Sequence, residues 1–252
     1  MKKTATFNFF DEINDFIQKN QRNQEIKIEF DDSTTAKDAI EAIGVPHTEV
    51  ESIVVNDISV DFHYRLKDQD KVRVYSFSSK VIIEDKIPLR ASIQNYKFIV
   101  DANVAKMAKY LRMLGFDTSY NFELPDKDIV ALAEKEKRII LSRDIGLLKR
   151  KNATLGYFLR KTNIEEQVME VLKRYDLTSQ IKPLSICLEC NGHINQVNKD
   201  SIIKKLNENV AKEYDEFFQC NNCKKIFWKG SHHDKMLNNI DKFVKDLEQS
   251  KI

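Results

Sequence analysis

The sequence has little glycine, little proline and no long apolar run. Only 6 of its 252 residues are Gly and 4 are Pro, which excludes collagen-like and Pro/Gly-rich low-complexity chains and favours compact structure. No apolar stretch approaches the roughly 20 residues that span a bilayer. Acidic residues at Asp11, Glu12 and Asp15 interrupt the segment in which a secretory signal would be apolar. We therefore expect a cytoplasmic protein with no membrane partner.

The charge is unevenly distributed along a chain long enough for two or three domains. The formal net charge is +2, but residues 1–80 carry 11 basic and 15 acidic side chains, whereas residues 81–252 carry 30 and 24. An excess of Lys and Arg in the second part suits a polyanionic partner, because these side chains displace counterions from phosphate. Solvated helix surfaces would explain the same excess equally well.

Residues 1–80 have the pattern of a small α+β domain. The segments ATFNFF and EIKIEF alternate apolar and polar residues, TAKDAIEAIG forms a helix that ends at Gly44, and SIVVN and KVRVYSF are again rich in strand-forming residues. This order predicts a β-grasp domain, in which one helix packs across a mixed sheet. Residues 81–95, which contain Pro88, are predicted to be a linker.

Residues 96–180 alternate short apolar strands with helices. The strands are KFIV, FDTSY, RIILS and one within ATLGYFLR, and the helices are one closed by Gly115, one that Asp126 can cap, a short IGLLKRK helix and NIEEQVMEVLKRYDL. Strands that alternate with helices predict a parallel sheet with right-handed crossovers. Residues at equivalent strand ends are then expected along one edge of that sheet.

All four cysteines lie in residues 181–252, as two C-x-x-C pairs. The pairs are Cys187 with Cys190 and Cys220 with Cys223, and this spacing lets four thiolates surround one Zn²⁺. Redox dithiols or disulfides are the alternatives, which a chain expected inside the cell makes less favourable. The segment is therefore predicted to be a structural zinc ribbon, followed by a helix with Met236, Ile240 and Val244 on one face.

A second group of candidate ligands is acidic. Asp101 and Asp144 each follow a predicted buried strand, and Asp126 and Asp128 begin the helix between them. Carboxylates at the carboxyl edge of a parallel sheet suit Mg²⁺ or Mn²⁺, which would activate water for phosphodiester attack. Taken singly, Asp101 and Asp126 are equally well explained as helix caps, and Asp144 as a turn residue.

The runs FIVDANVAKMAKYLRMLGFDTSY, DKDIVALAEKEKRIILSRDIGLLKR, CLECNGHI and YDEFFQCNNCKKIFWKGSHHDKM resemble the PIN-like RNase family named for the C-terminal domain of the Mut-seven exonuclease. The resemblance implies a PIN-like α/β domain with a fused zinc ribbon and metal-dependent cleavage of RNA. It also implies catalytic roles for Asp101, Asp126, Asp144 and Arg143.

FNFFDEINDFI, TAKDAIEAIGVPHTEV and VNDISVDF resemble the ubiquitin-like domain found ahead of such RNases. Sulfur-carrier relatives of that fold act through a free Gly-Gly tail. No such tail follows Tyr75, so we expect a docking or stabilising module that contacts a protein partner.

The RNA-contact predictions concern basic and aromatic residues. Lys106, Arg112, Lys149 and Arg150 are the candidate RNA-binding residues, with Arg112 and Arg143 favoured by the resemblance, although surface lysines and arginines are more often merely solvated. Trp228 and Phe227 either stack on an unpaired base or cover the zinc knuckle.

The predicted fold class is α/β, with a PIN-like parallel-sheet domain (96–180), a zinc ribbon with a C-terminal helix (181–252) and an N-terminal β-grasp domain (1–80). The predicted function is a metal-dependent endoribonuclease. Two alternatives stay open at this point: a non-catalytic RNA- or ribosome-binding module, and a toxin-like nuclease controlled by a partner.

Overall fold

The computed structural model describes residues 2–249. Besides short 3-10 turns, its elements in chain order are β1 (Lys3–Phe9), β2 (Ile26–Phe30), α1 (Ala36–Ile43), β3 (Val50–Val55), β4 (Ile58–Val60), β5 (Asp70–Ser76), β6 (Phe98–Val100), α2 (Met107–Met113), β7 (Thr118–Ser119), α3 (Asp126–Glu136), β8 (Ile139–Ser142), α4 (Ile145–Leu148), β9 (Gly156–Phe158), α5 (Ile164–Arg174), β10 (Ile194–Val197), α6 (Lys199–Ile202), α7 (Glu208–Glu213), β11 (Phe217–Cys220), β12 (Ile226–Trp228) and α8 (Ser231–Gln249).

The described chain divides into two compact units, neither of which is continuous in sequence. The first contains residues 2–95 and 125–158, and the second contains residues 96–124 and 159–249. The first unit therefore combines the predicted β-grasp domain with α3, β8, α4 and β9. The second combines β6, α2, β7 and α5 with the cysteine-rich segment.

A mixed five-stranded sheet in the order β2-β1-β5-β3-β4 forms most of the first unit. The central strand β5 is parallel to its neighbour β1, and the other neighbouring strands are antiparallel. The alternation read in β1 is real, since Phe7 is fully buried while Thr6 and Asn8 are only partly so. Helix α1 ends at Gly44, as predicted, and it begins at a capping box formed by Thr35 and Asp38.

The rest of the first unit is a parallel pair of strands with helices. β8 pairs with β9 in parallel, with Ile140 opposite Gly156, and all four residues of β8 are buried. Pro125 occupies the cap position of α3 and Asp126 is its first residue, so the prediction that Asp126 caps this helix is wrong. The Pro125 carbonyl oxygen accepts the first helical hydrogen bonds, from the Asp128 and Ile129 N–H groups.

The first unit is held together by polar groups of the β-grasp domain. The buried Glu49 carboxylate accepts a hydrogen bond from the Phe158 N–H at 2.7 Å. The His47 Nε2 lies 2.7 Å from the Ala153 carbonyl oxygen, and its Nδ1 lies 2.6 Å from Glu41 Oε1. The N-terminal domain therefore supplies side-chain partners for the backbone that leads into and through β9.

The second unit contains another parallel pair, β6 with β7, and the helices α2 and α5. A 3-10 turn at Ala102–Val104 precedes α2, which begins at Met107. Gly115 ends α2 with φ +93°, and a Cβ there would lie 2.2 Å from the Lys182 carbonyl oxygen. This position therefore requires glycine for two reasons, its backbone conformation and the close approach of residue 182.

The cysteine-rich segment forms a three-stranded antiparallel sheet in the order β10-β11-β12, followed by α8. Helix α8 buries Ile240, Phe243 and Leu247. The predicted face of Met236, Ile240 and Val244 is therefore only partly right. The spacing that the helix uses is i, i+3, i+7, and the Phe243 ring packs edge-on against Tyr110 at 6.2 Å between centroids.

The predicted fold class is confirmed: parallel strands alternate with helices, a mixed sheet lies at the N-terminal end and four cysteines cluster toward the other end. The predicted domain boundaries stay predictions. Within residues 2–249, no helix is both long enough and apolar enough to cross a bilayer.

Candidate functional site

The four cysteine sulfurs converge in the second unit. Cys187 Sγ lies 3.8 Å from Cys223 Sγ, Cys190 Sγ lies 3.4 Å from Cys220 Sγ, and all four atoms are within 4.8 Å of one another. Four sulfurs at the Zn–S distance of about 2.3 Å from a tetrahedral ion would be separated by about 3.8 Å. The sulfur positions therefore fit four thiolates bound to one tetrahedral ion, and zinc is the ion that this donor set suits best.

The two C-x-x-C turns have nearly the same backbone geometry. The N–H of Asn191 donates to the Cys187 carbonyl at 3.0 Å, and the N–H of Lys224 donates to the Cys220 carbonyl at 3.1 Å. Both residues are left-handed, with φ of 64° for Asn191 and 61° for Lys224. This conformation is easy for Gly and tolerable for Asn, but it is unfavourable for Lys.

Without a cation, the cluster favours only part of its sulfurs as thiolates. Burial opposes ionisation of Cys190, but the Gly192 N–H and the Cys220 and Cys223 side chains stabilise its thiolate and lower its pKa to about 6. Burial raises the pKa of Cys187. At Cys223 the Lys225 N–H lowers the pKa, but burial and the neighbouring sulfurs outweigh it and raise the pKa to about 12. A bound divalent cation would offset the repulsion between neighbouring thiolates and would favour ionisation of the cysteines, as expected for a metal site.

Arg112 connects helix α2 to the first cysteine turn. Its guanidinium is buried and donates from Nε to the Thr118 carbonyl at 2.9 Å and from Nη1 to the carbonyls of Leu188 at 2.9 Å and Glu189 at 3.1 Å. Burial lowers the pKa of Arg112, whereas the charges of Cys187 and Cys190 raise it. Arg112 is thus bound to the protein's own backbone, and its RNA contact stays a prediction.

Asn191 forms a second connection between the same parts. Its side-chain Oδ1 accepts from the Thr118 N–H at 2.8 Å, and its Nδ2 donates to Asp117 Oδ1 at 2.5 Å. The residue that allows the first cysteine turn therefore also holds β7. This role was not predicted from the sequence, although Asn after a second knuckle cysteine is a residue type that takes positive φ and carries hydrogen-bonding atoms.

Of the predicted acidic site, three members lie in the first unit. Asp144 is exposed and caps α4, since its Oδ1 accepts from the Gly146 N–H at 2.7 Å and the Leu147 N–H at 3.4 Å. Asp126 is half-buried and its Oδ2 accepts from Arg150 at 3.0 Å, while Asp128 is exposed. In the described part of the first unit, these three carboxylates do not form a three-ligand group like that of the cysteines.

Asp101 lies in the second unit, directly after β6. It is half-buried, and its Oδ2 accepts from the Asn103 side chain at 2.6 Å. Its side chain does not cap the short helical turn that follows, so the helix-cap explanation does not apply to it. Lys106 is exposed on the same segment.

The remaining predicted residues are basic members of the first unit. Arg143 is half-buried directly before Asp144. Lys149 is half-buried and donates to the Glu41 carbonyl at 2.6 Å, and burial lowers its pKa. Arg150 forms an exposed ion pair with Asp126. Lys149 is thus engaged by the β-grasp domain, whereas an exposed pair such as Arg150 with Asp126 exchanges partners at little cost.

Comparison with known families gives two matches. A family model described as the Mut7-C RNAse domain matches residues 96–240, and one described as Mut7-C ubiquitin matches residues 2–81. Neither curated proteins nor solved structures gave a match. The resemblance stated from the sequence is therefore confirmed, and it supports a nuclease-type function. Since the first match spans more than half of the sequence, the chain belongs to the Mut7-C RNAse domain family.

Proposed function

We propose that this chain is a cytoplasmic, metal-dependent endoribonuclease. In this proposal Asp101, Asp126 and Asp144 hold Mg²⁺ or Mn²⁺, with Asp128 as a further ligand. The observation that carries it is the match to an RNase family over residues 96–240, within which Asp101 and Asp144 both follow buried strands of parallel pairs. Ligands gather at the carboxyl ends of such strands.

The donor set is chemically suited to a hard cation. All four proposed ligands are carboxylates, and Mg²⁺ and Mn²⁺ prefer oxygen. When bound, such an ion lowers the pKa of coordinated water and stabilises the charge that develops in phosphodiester attack. Asp144 supports this role, since both of its cap hydrogen bonds end on Oδ1 and its carboxylate is exposed.

The protein's own cations would orient the RNA. Arg143 adjoins Asp144, and a guanidinium can bind two phosphate oxygens at once. Arg150 would exchange its exposed pair with Asp126 for a phosphate once a metal ion occupies the carboxylate. Lys106 would add a phosphate contact from α2's leading segment.

In the same proposal, the cysteine cluster holds a structural zinc ion and takes no part in the chemistry, because four thiolates leave no open coordination position. The ubiquitin-like domain stabilises the nuclease segment through His47 and Glu49 and is available to a protein partner.

The test is cleavage of single-stranded and structured RNA with Mn²⁺ by the wild type and by Asp101→Asn and Asp144→Asn. Asn caps helices about as well as Asp, so Asp144→Asn removes a charge while keeping the cap of α4. Loss of a direct metal ligand should cost at least as much as loss of a second-shell partner, so we expect cleavage to fall by about 100-fold or more. Asp241→Asn, at an exposed site on α8, is the matched control and should cleave normally.

A non-catalytic RNA-binding module is the second candidate. The observation in its favour is that Asp126, Asp128 and Asp144 do not gather into a three-ligand group within the described first unit. RNA binding without Mn²⁺-dependent cleavage, or equal cleavage by the wild type and both variants, would establish this second function and remove the first.

A further inference from the structure

A groove of about 610 Å³ lies in the second unit, beside the four-cysteine cluster. Its walls are the first cysteine turn, the edge strand β12 and the beginning of α8, and its lining is mostly apolar. The volume is within the range of roughly 300–1,000 Å³ that small-molecule sites occupy. Of the residues that the sequence singled out, Phe227 and Trp228 line this groove.

Aromatic rings form much of its surface. Phe218 and Phe227 are direct cross-strand partners on β11 and β12, and both line the groove. Trp228 also lines it and is 36% exposed, whereas its own ladder partner Phe217 is fully buried. Tyr214 lies 6.3 Å from Trp228 between ring centroids. Phe217 is therefore part of the core, whereas the indole of Trp228 stays partly exposed in the groove.

The groove is lined by two lysines, Lys225 and Lys229, and by one acid, Glu189. Residues 221–235 contain four lysines and one acid, Asp234. Lys225 and Lys229 line the groove, and the Lys229 ammonium lies 5.9 Å from the centroid of Phe218. Lys225 pairs with Glu189 and Lys229 pairs with Glu216, but both pairs are about half exposed. Such surface pairs contribute little and can exchange for phosphate.

We propose that this groove binds an unpaired segment of RNA, with bases stacked on Trp228 and the neighbouring phenylalanines and phosphates held by Lys225 and Lys229. The proposal rests on the proposed function, because the ligand is the substrate class of the nuclease. Exposed rings between cations are typical of sites that bind single strands, since every base has a face that stacks. Duplex RNA keeps its bases paired and stacked, so the groove would select unpaired RNA.

Trp228 is the only tryptophan in the chain, so its fluorescence reports on this groove alone. The full-length, zinc-loaded protein is titrated with a single-stranded oligouridine and with a duplex of the same length, in buffer without Mg²⁺ or Mn²⁺. We expect the oligouridine to quench the emission and the duplex to have little effect.

Binding is then measured by anisotropy of labelled oligouridine with Trp228→Ala, Trp228→Phe and Phe122→Ala. Loss of one stacked base should weaken binding by about 5- to 150-fold in Trp228→Ala, whereas Trp228→Phe should retain most of the affinity. Phe122 is 72% exposed outside the groove and is the matched control, which should bind normally. Lys225→Ala should weaken binding and reduce its dependence on salt.

Wild-type affinity in Trp228→Ala, or quenching by an extended peptide but not by oligouridine, would overturn the proposal. Cleavage is assayed separately with Mn²⁺. Absence of Asp144-dependent cleavage with oligouridine quenching intact would refute the nuclease and leave the groove. Cleavage that persists while Trp228→Ala binds like the wild type would refute the groove and leave the nuclease.

Discussion

Replacing Arg112 with methionine keeps the apolar stem of the side chain and removes a buried guanidinium. That group makes three hydrogen bonds to backbone carbonyls, one at Thr118 and two in the first cysteine turn. Hydrogen bonds from a charged donor contribute about 1.5–3 kcal/mol each. Because Arg112 is only 6% exposed, water cannot replace all of these contacts. We expect the second unit to lose about 3–5 kcal/mol of unfolding free energy.

Urea unfolding of the second unit can be followed through Trp228, the single tryptophan. With a slope of about 2 kcal/mol per molar urea, a loss of about 4 kcal/mol would lower the midpoint by about 2 M. Lys109→Met is the matched control, since Lys109 is exposed on the same helix and its loss should leave the midpoint almost unchanged. Zinc release to a colorimetric chelator should also be faster in Arg112→Met than in the control.

Arg112→Lys separates charge from geometry. Lysine keeps the positive charge near Cys187 and Cys190, but a single ammonium cannot reproduce the planar fork that reaches three carbonyls. We expect it to restore less than half of the lost stability. A wild-type midpoint in Arg112→Met, combined with weaker RNA binding, would refute this reasoning and support the phosphate-binding role of Arg112 expected from the sequence.

Three further predictions concern the metal site and the first unit. The protein should contain one zinc ion per chain by elemental analysis. Zinc binds thiolates, and the pKa of both Cys187 and Cys223 is raised. Zinc binding near pH 7 should therefore release at least two protons, measured with a pH indicator, and the affinity for zinc should rise with pH. Lys224→Gly should stabilise the second unit by about 0.5–1 kcal/mol, because glycine adopts the left-handed conformation more easily than lysine. Asn191→Gly should destabilise the same unit by about 1–2 kcal/mol, because the hydrogen bonds to Asp117 and Thr118 are lost. Both changes are measured by urea unfolding, and the opposite order of stabilities would contradict the structure. His47→Ala should destabilise the first unit by about 2–3 kcal/mol, measured by hydrogen exchange of β9, while exposed His63→Ala should not.

Local patterns predicted most of the elements because their causes are local. Gly44 ends α1 and Asn163 caps α5, where its side chain accepts from the Glu165 and Glu166 N–H groups. The short strands β4, β10, β11 and β12 were missed because three or four residues carry too little periodicity. Residues of β10 are strand-forming only because β11 lies beside them, with Ile194 opposite Cys220.

The same difference between local and long-range causes applies to the candidate sites. The two C-x-x-C pairs could be found in the sequence because the spacing itself encodes the turn. The structural contacts of Arg112 could not be predicted, since its carbonyl partners at Leu188 and Glu189 lie more than 70 residues away. At Asp144 the sequence indicated both a local structural role and a ligand role, and capping of α4 leaves the second oxygen compatible with the latter.

The two cysteine turns differ in what they support, although their backbones match. The first turn is bound to α2 and β7 through Arg112 and Asn191. The second begins at the end of β11 and leads into β12, which carries Phe227 and Trp228 along the groove. An ion that takes two ligands from each turn therefore fixes the aromatic groove relative to the helix that follows Asp101. The pairing of β10 with β11 also joins the two turns, with Ile194 opposite Cys220. Removing the metal should therefore loosen the two turns before the three-stranded sheet unfolds.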